Sequence, residues 1–348
     1  MQLPNQQAKI IFSVICFTVL FMVLKAQPTV QNSSETHRFM FYNVENYFDP
    51  FVDSLSSYNE FVPDGMRHWT YSRYIDKRNK IYKVITGLGG WQYPTIVAFA
   101  EIENRFVLED LIASTPLKNA GYEIIHFESK DERGIDVGMI YLADHFKPLH
   151  AQIIPIIFEN DTADKTRDIL YVKGYLGSNS LHLFINHWPS RYGGLMASSP
   201  LRLTASKTLI RVCDSVCISD ANAKVLIMGD FNDDRENESL KLLEDGSVCG
   251  LQILQMESKN KDVKGTLKYQ GNWDVFDNII VSGALLNSNS GLSLAGNSGH
   301  VFDAPFLLES DERHLGVKPF RTYTGYKYNE GFSDHLPVFV DIYTHKSK

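Results

Sequence analysis

Polar residues recur where apolar runs of this 348-residue chain stop. Asn43 and Glu45 follow RFMFY, Glu101 follows TIVAFA, and His187 follows LHLFIN. Asp230 and Asn232 follow KVLIMG, Asp277 precedes NIIVS, and Asp334 and His335 precede LPVFVDI. Any one of these alone is a turn residue or a strand cap. Together they place carboxylates, amides and imidazoles at successive strand ends, where they can converge on one pocket. Glu45, Glu101, Asp230, Asp277 and Asp334 are hard oxygen donors, with Asn43 and Asn232 as neutral partners. Such a set suits Mg²⁺ or Mn²⁺, which need few protein ligands. With two histidines added, the chemistry indicated is hydrolysis of a phosphate ester by activated water. The sequence has no nucleophile elbow, no phosphate-cradling glycine loop and no Walker lysine, so acyl transfer and nucleotide-driven phosphotransfer are unsupported.

The elements that must position these residues alternate between strand-like and helical patterns. Apolar runs predict strands at Arg38–Tyr42, Thr95–Ala100, Val137–Tyr141, Ile169–Tyr175, Leu181–Asn186, Lys224–Met228, Asn278–Ser282 and Val338–Tyr343. Helical spacing appears at Tyr71–Gly87, Phe106–Ser114, Leu201–Ile218 and Glu238–Glu244. No Pro-, Ser- or Gly-rich linker divides them, which predicts one α/β domain of about 310 residues. The stretch 287–299, NSNSGLSLAGNSG, reads as a flexible surface loop.

At 44% hydrophobic and 22% charged, the chain is far too apolar for a disordered protein. Residues 1–26 read as a signal peptide: Lys9 precedes the apolar run Ile10–Leu24, and Ala26 meets a polar stretch. Fifteen helical residues span about 22 Å, short of the roughly 30 Å hydrocarbon core. The expectation is therefore an exported protein, periplasmic or extracellular, with no stable membrane insertion once the leader is cleaved. Residues 27–37 read as a disordered segment and 38–345 as the catalytic domain. Removing the leader takes Lys9 and Lys25 but no acid, which moves the formal charge from −7 to −9 and argues against nucleic-acid binding through bulk positive field. Of the remaining cysteines, Cys213 and Cys217 share a helix. Buried thiols, or one disulfide to Cys249, both satisfy that arrangement. No Cys/His spacing for zinc is present.

The ordered segments FYNVEN, VAFAEIEN, RGIDVGMIY, INHWPSR, IMGDFND, WDVFDNIIVS and GFSDHLPV resemble the endonuclease/exonuclease/phosphatase superfamily. The stretch from NVENYFD to AEIEN is most similar to predicted extracellular bacterial nucleases within it. The likeness runs from about Phe39 to Asp341 and implies a four-layer α/β/β/α sandwich of two packed mixed sheets. It implies that Glu101 is the principal metal ligand, with Asn43, Glu45 and Asp334 around it. By the same resemblance, Asp230 and Asn232 orient water and contact the phosphate, His335 is the general acid/base, and Asp277 orients it. His187 matches the second histidine, which bonds phosphate or protonates the leaving oxygen, with Asp136 as its orienting partner. Arg191 reads as a bidentate phosphate clamp. Trp188 reads as a packing residue, and His37, His126 and His145 carry no motif.

The function implied is a Mg²⁺-dependent (or Mn²⁺-dependent) phosphodiesterase acting on nucleic acid, as an endonuclease or exonuclease and as a monomer. The alternatives are a phosphatase or phospholipase C-type hydrolase acting on an inositol phosphate or sphingomyelin, and a non-catalytic binding module on the same scaffold.

Overall fold

Strands that are apolar on both faces need cover on both faces, and the chain supplies it by stacking two sheets between helices. The computed structural model describes residues 35–51, 60–158, 166–286 and 291–345. The expected leader and most of the segment that follows it lie outside those residues. The first sheet contains β1 (Glu35–Tyr47), β2 (Ile96–Ile102), β3 (Tyr122–His126) and β4 (Asp136–Leu142). The second contains β5 (Phe146–Ile154), β6 (Ile169–Leu176), β7 (Asn179–His187), β8 (Val225–Asp230) and β9 (Asp277–Val281). A final strand, β10 (Val338–Thr344), returns to the first sheet and pairs antiparallel with β1.

The first sheet is ordered β10-β1-β2-β4-β3, with Ser298–Val301 and then Gln255–Glu257 beyond β10. The second is ordered β5-β6-β7-β8-β9, with Gln252–Ile253 at its edge. β1–β2 and β7–β8 are parallel pairs, whereas β4 runs antiparallel to β2 and β9 antiparallel to β8, so both sheets are mixed.

The layering shows in which residues share a core. Along β8, Leu226 and Met228 belong to the cluster between the sheets, while Val225 and Ile227 belong to a second cluster on the outer face. β7 divides in the same way, with Leu183 and Ile185 inside and Phe184 outside. The outer cluster is completed by Leu209 of α3 (Leu195–Ser219) and by Leu240 and Leu243 of α4 (Glu238–Gly246). On the other side, α1 (Tyr71–Gly89) buries Ile81, Val84 and Leu88, and α2 (Arg105–Ala113) buries Val107 and Leu111. This is the α/β/β/α sandwich. Thr70 and Asn104 cap α1 and α2 by accepting from the backbone N–H groups of Arg73 and Val107.

Several boundaries differ from those read in the sequence. β1 begins at Glu35 because Glu35 pairs with Thr344, so Glu35–His37 are strand and not part of a disordered segment. α3 starts at Leu195, ahead of Pro200, which lies inside the helix. Within the expected loop 287–299, Leu292–Leu294 pairs with β10 and buries Leu292 and Leu294; residues 287–290 lie outside the described residues. Of the two cysteine arrangements, the disulfide is present: Cys217 on α3 is bonded to Cys249, and Cys213 is a buried free thiol. Among the described residues no helix is long and apolar enough to cross a membrane.

Candidate active site

Strand register does most of the assembly. His187 ends β7 opposite Asp230 at the end of β8, and Asp230 lies opposite Asp277 at the start of β9. Three ionisable groups therefore stand side by side at one edge of the second sheet. In the first sheet Asn43 lies opposite Ala100, one residue before Glu101. The two sheet edges meet where Asn43 Nδ2 donates to Asp230 Oδ2 at 3.0 Å. β7 and β8 approach closely there: a Cβ added at Gly229 would lie 2.5 Å from the carbonyl oxygen of Asn186. Glu45, Asn46, Glu101 and Asn232 all take left-handed backbone conformations, with φ between 49° and 63°. Each costs roughly 1–3 kcal/mol, and such strain gathers at functional sites.

The buried charges are set against one another. His335 Nδ1 lies 2.7 Å from Asp277 Oδ2, and the Asp277 N–H donates to Thr266 Oγ1. Burial alone would favour neutral imidazole. The carboxylates of Asp277 and Asp230 outweigh it and hold His335 well above its usual value, so it is an imidazolium at neutral pH. His187 is the opposite case. Burial, with Arg167, Arg133 and His335 adding to it, holds His187 well below its usual value and therefore neutral. Asp230 Oδ2 sits 3.7 Å from His187 Nε2 and 3.8 Å from His335 Nε2. Burial raises Asp230 to about 6 against the pull of His335, and Asp277 adds to the rise. Asn232 donates its N–H to Asp230 Oδ1 and its side-chain amide to the Trp188 carbonyl. Trp188 is fully buried against Phe231, as a packing residue.

The metal-ligand set read from the sequence divides in two. Glu101 faces the cluster: Oε2 accepts from the Asn46 N–H at 2.9 Å with Arg133 3.6 Å away, and Oε1 lies 3.9 Å from His187 Nε2. Glu45 does not join it, because its left-handed backbone turns the side chain toward the 320s. There Glu45 Oε2 accepts from the Thr322 N–H at 2.6 Å. Arg321 Nη2 lies 3.4 Å from Glu45 Oε1 and 3.0 Å from Asp334 Oδ2. Glu45 and Asp334 thus share an arginine. Burial and Asp334 raise Glu45 to about 7. Burial would raise Asp334 too, but Arg321 outweighs it and lowers that carboxyl. Beneath them Lys77 Nζ donates to Thr322 Oγ1 at 2.6 Å and to the Phe332 carbonyl; burial lowers Lys77 to about 8.

Asp230, Asp277 and His335 offer ligand atoms within 4.8 Å of one another, Glu101 and Asp230 flank the same His187 Nε2, and the buried Asp277 Oδ1 has no hydrogen-bond partner. That donor set fits a hard divalent cation held by few protein ligands.

Two further expectations are corrected. Asp136 does not orient His187. His126 lies opposite Gly138 in the β3–β4 register, which brings Asp136 to His126 instead: His126 Nε2 is 3.0 Å from Asp136 Oδ2. Arg191 is no free clamp, since it donates to the Asn232 carbonyl and Asn237 Oδ1, reaches Asp233 Oδ1 at 3.3 Å, and stacks on Phe276. Missed in the sequence were Arg321, Lys77, Thr266 and Ser333. Ser333 Oγ donates to the Asn43 carbonyl and accepts the His335 N–H, tying the segment that enters β10 to the end of β1 within the first sheet. Only Ser333 had a signal, in GFSDHLPV. Beside Asp334 and Arg321 opens a cavity of 650 Å³ whose lining includes Lys268, Arg313, Lys318 and Lys327.

A family model described as Endonuclease/Exonuclease/phosphatase family matches residues 38–344. No curated protein sequence matches the chain significantly. Among solved structures, an endonuclease/exonuclease/phosphatase from Bacteroides vulgatus superposes with a TM-score of 0.56 at 12% identity, covering 89% of this chain and 100% of that one. A mannosyl-6-phosphatase from Bacteroides thetaiotaomicron gives 0.55 at 14% identity, covering 88% and 99%. D. rerio TDP2 complexed with a single-strand DNA product gives 0.51 at 16% identity, covering 88% and 99%.

Proposed function

The chain belongs to the endonuclease/exonuclease/phosphatase family and is a metal-dependent phosphoric-ester hydrolase, and on that premise we propose that it is an exported phosphodiesterase that cleaves nucleic-acid backbones with Mg²⁺. The observation that carries this reading is the position of Asp230 between two buried imidazoles, His335 protonated and His187 neutral.

Asp230, raised to about 6, accepts a proton from the attacking water, and Asn232 holds the Asp230 carboxylate in place through its N–H. The His335 imidazolium, fixed by Asp277, donates to a phosphoryl oxygen and offsets the charge that develops there. His187 Nε2 faces the same space between Asp230 and Glu101 and donates a second hydrogen bond. Glu101 and Asn43 would hold the divalent cation, which supplies charge neutralisation on the phosphoryl and leaving oxygens. Burial of every group but Glu101 strengthens these interactions. Export is supported by the leader-like pattern of residues 1–26 and by the Cys217–Cys249 disulfide. Single-strand DNA bound to the similarly folded TDP2 supports the nucleic-acid substrate.

One observation favours a second reading, a small phosphorylated substrate: the 650 Å³ cavity next to Asp334 has the size of a small-molecule site. The two readings separate when the purified protein is incubated with supercoiled plasmid, single-stranded DNA, RNA, sphingomyelin, inositol phosphates and a sugar 6-phosphate. Nicking that is lost with chelator and in His335→Ala is the expected result. Turnover confined to phosphomonoesters or lipid would overturn the nuclease.

A further inference from the structure

A second cluster of metal-binding side chains lies at the opposite end of β1. Glu35 and His37 are two residues apart on that strand and project from the same face. From Glu35 to Asn43 the strand rises about 26 Å, so this cluster is remote from the hydrolytic centre. His145 joins it from the turn between β4 and β5. His145 Nδ1 lies 3.1 Å from Glu35 Oε1, and His37 Nε2 lies 3.8 Å from Glu35 Oε2. The two imidazole rings meet edge to face with centroids 5.5 Å apart. One ligand atom from each of the three residues falls within 4.8 Å of the others. Ligands 2.0–2.1 Å from a tetrahedral zinc stand about 3.3 Å apart, so small side-chain rotations close the set.

The surroundings hold these groups in place. His37 is buried, and its Nδ1 lies 3.3 Å from Thr95 Oγ1, which leaves Nε2 facing Glu35 and His145. An outer hydrogen bond of this kind orients a ligating histidine. Thr95 also anchors the turn, since its carbonyl accepts the Leu142 N–H, and the Leu142 carbonyl accepts that of His145. The Thr344 hydroxyl approaches His37 Nε2 only at 3.4 Å. Glu35 and His145 line a 490 Å³ cavity, and Arg38, which lines it too, is neutralised by a two-bond pair with Asp341 at 2.7 Å.

We propose that Glu35, His37 and His145 form a Zn²⁺ site that clips the start of β1 to the β4–β5 turn. Two imidazoles and one carboxylate select a borderline transition cation, whereas the oxygen-rich hydrolytic end selects Mg²⁺. The fourth position opens to the cavity and takes water. The role is structural, because the clip joins the first strand to the turn where the chain passes from one sheet to the other.

The test is calorimetric titration of chelator-stripped protein with Zn²⁺ in saturating Mg²⁺, alongside thermal melting. Wild type binds a Zn²⁺ ion whose affinity falls at least about 10-fold in His145→Ala and in Glu35→Gln. A hundredfold excess of Zn²⁺ over Kd raises the wild-type Tm by about 5 °C. The same Zn²⁺ concentration raises the Tm of His145→Ala by no more than about half as much, while Mg²⁺-dependent hydrolysis by that variant is unchanged. Both substituted side chains are at least 40% exposed, so the variants fold without the ion. No Zn²⁺ binding in saturating Mg²⁺, or binding that both substitutions leave intact, overturns the site.

Discussion

On the proposed mechanism the His335–Asp277 pair sets how activity follows pH. In the wild type the carboxylates hold His335 above its ordinary value near 6.5, so the imidazolium persists as pH rises past that point. Asp277→Asn removes the first of those charges, and His335 then titrates nearer its ordinary value. The expected result is a kcat/KM loss of about 100-fold or more near pH 8 and a much smaller loss near pH 6. A parallel drop at both pH values would refute the role given to Asp277. The divided carboxylates make a second prediction. Glu101→Gln raises the Mg²⁺ concentration for half-maximal activity at least about 10-fold, while Glu45→Gln leaves it within about twofold, as read from Mg²⁺ titrations of activity. Seven residues that gather at the candidate site, Asn43, Glu101, His187, Asp230, Asn232, Asp277 and His335, were legible as a group because each ends or begins an apolar strand, and strand ends in stacked sheets converge. Glu45 was misread because a left-handed φ redirects its side chain, and a sequence does not display φ. Asp136 and Arg191 were misread because their partners, His126 and the 232–237 loop, come from segments with no motif of their own.

At the scale of elements, the parallel β7–β8 pair is the frame on which His187 and Asp230 stand. Gly229→Ala puts a methyl group 2.5 Å from the Asn186 carbonyl, within backbone that has no room to yield. The variant is expected to lose about 1–3 kcal/mol in denaturant unfolding and to lose activity, since Asp230 is the next residue. An unchanged midpoint would refute the close approach. All eight expected strands form, because unbroken Val, Ile, Leu and Phe runs have few other ways to be buried. β5 was missed because FKPLHAQII is a half-exposed edge strand carrying polar residues and a proline. Leu292–Leu294 was missed because Asn, Ser and Gly surround it, and only pairing with β10 makes those two leucines core.

For the whole molecule, the Cys217–Cys249 bond closes a 32-residue separation that spans α4 and β8. Reduction is expected to cost about 3–4 kcal/mol through the unfolded state, read as a lower urea midpoint with reductant present. Equal midpoints would show that the crosslink contributes nothing. The position of β10 has a consequence for timing. It is the last strand described, yet it sits between β1 and Ser298–Val301 in the interior of the first sheet, with Glu35 paired to Thr344. Contacts this distant in the chain make closure a late and slow folding step. A ribosome-bound chain that has reached Val281 already contains Asp277 but no His335. Until β10 is made and docks, the chain has a gap in its first sheet and lacks the proposed acid/base pair, so on that mechanism hydrolytic power is withheld from the nascent protein.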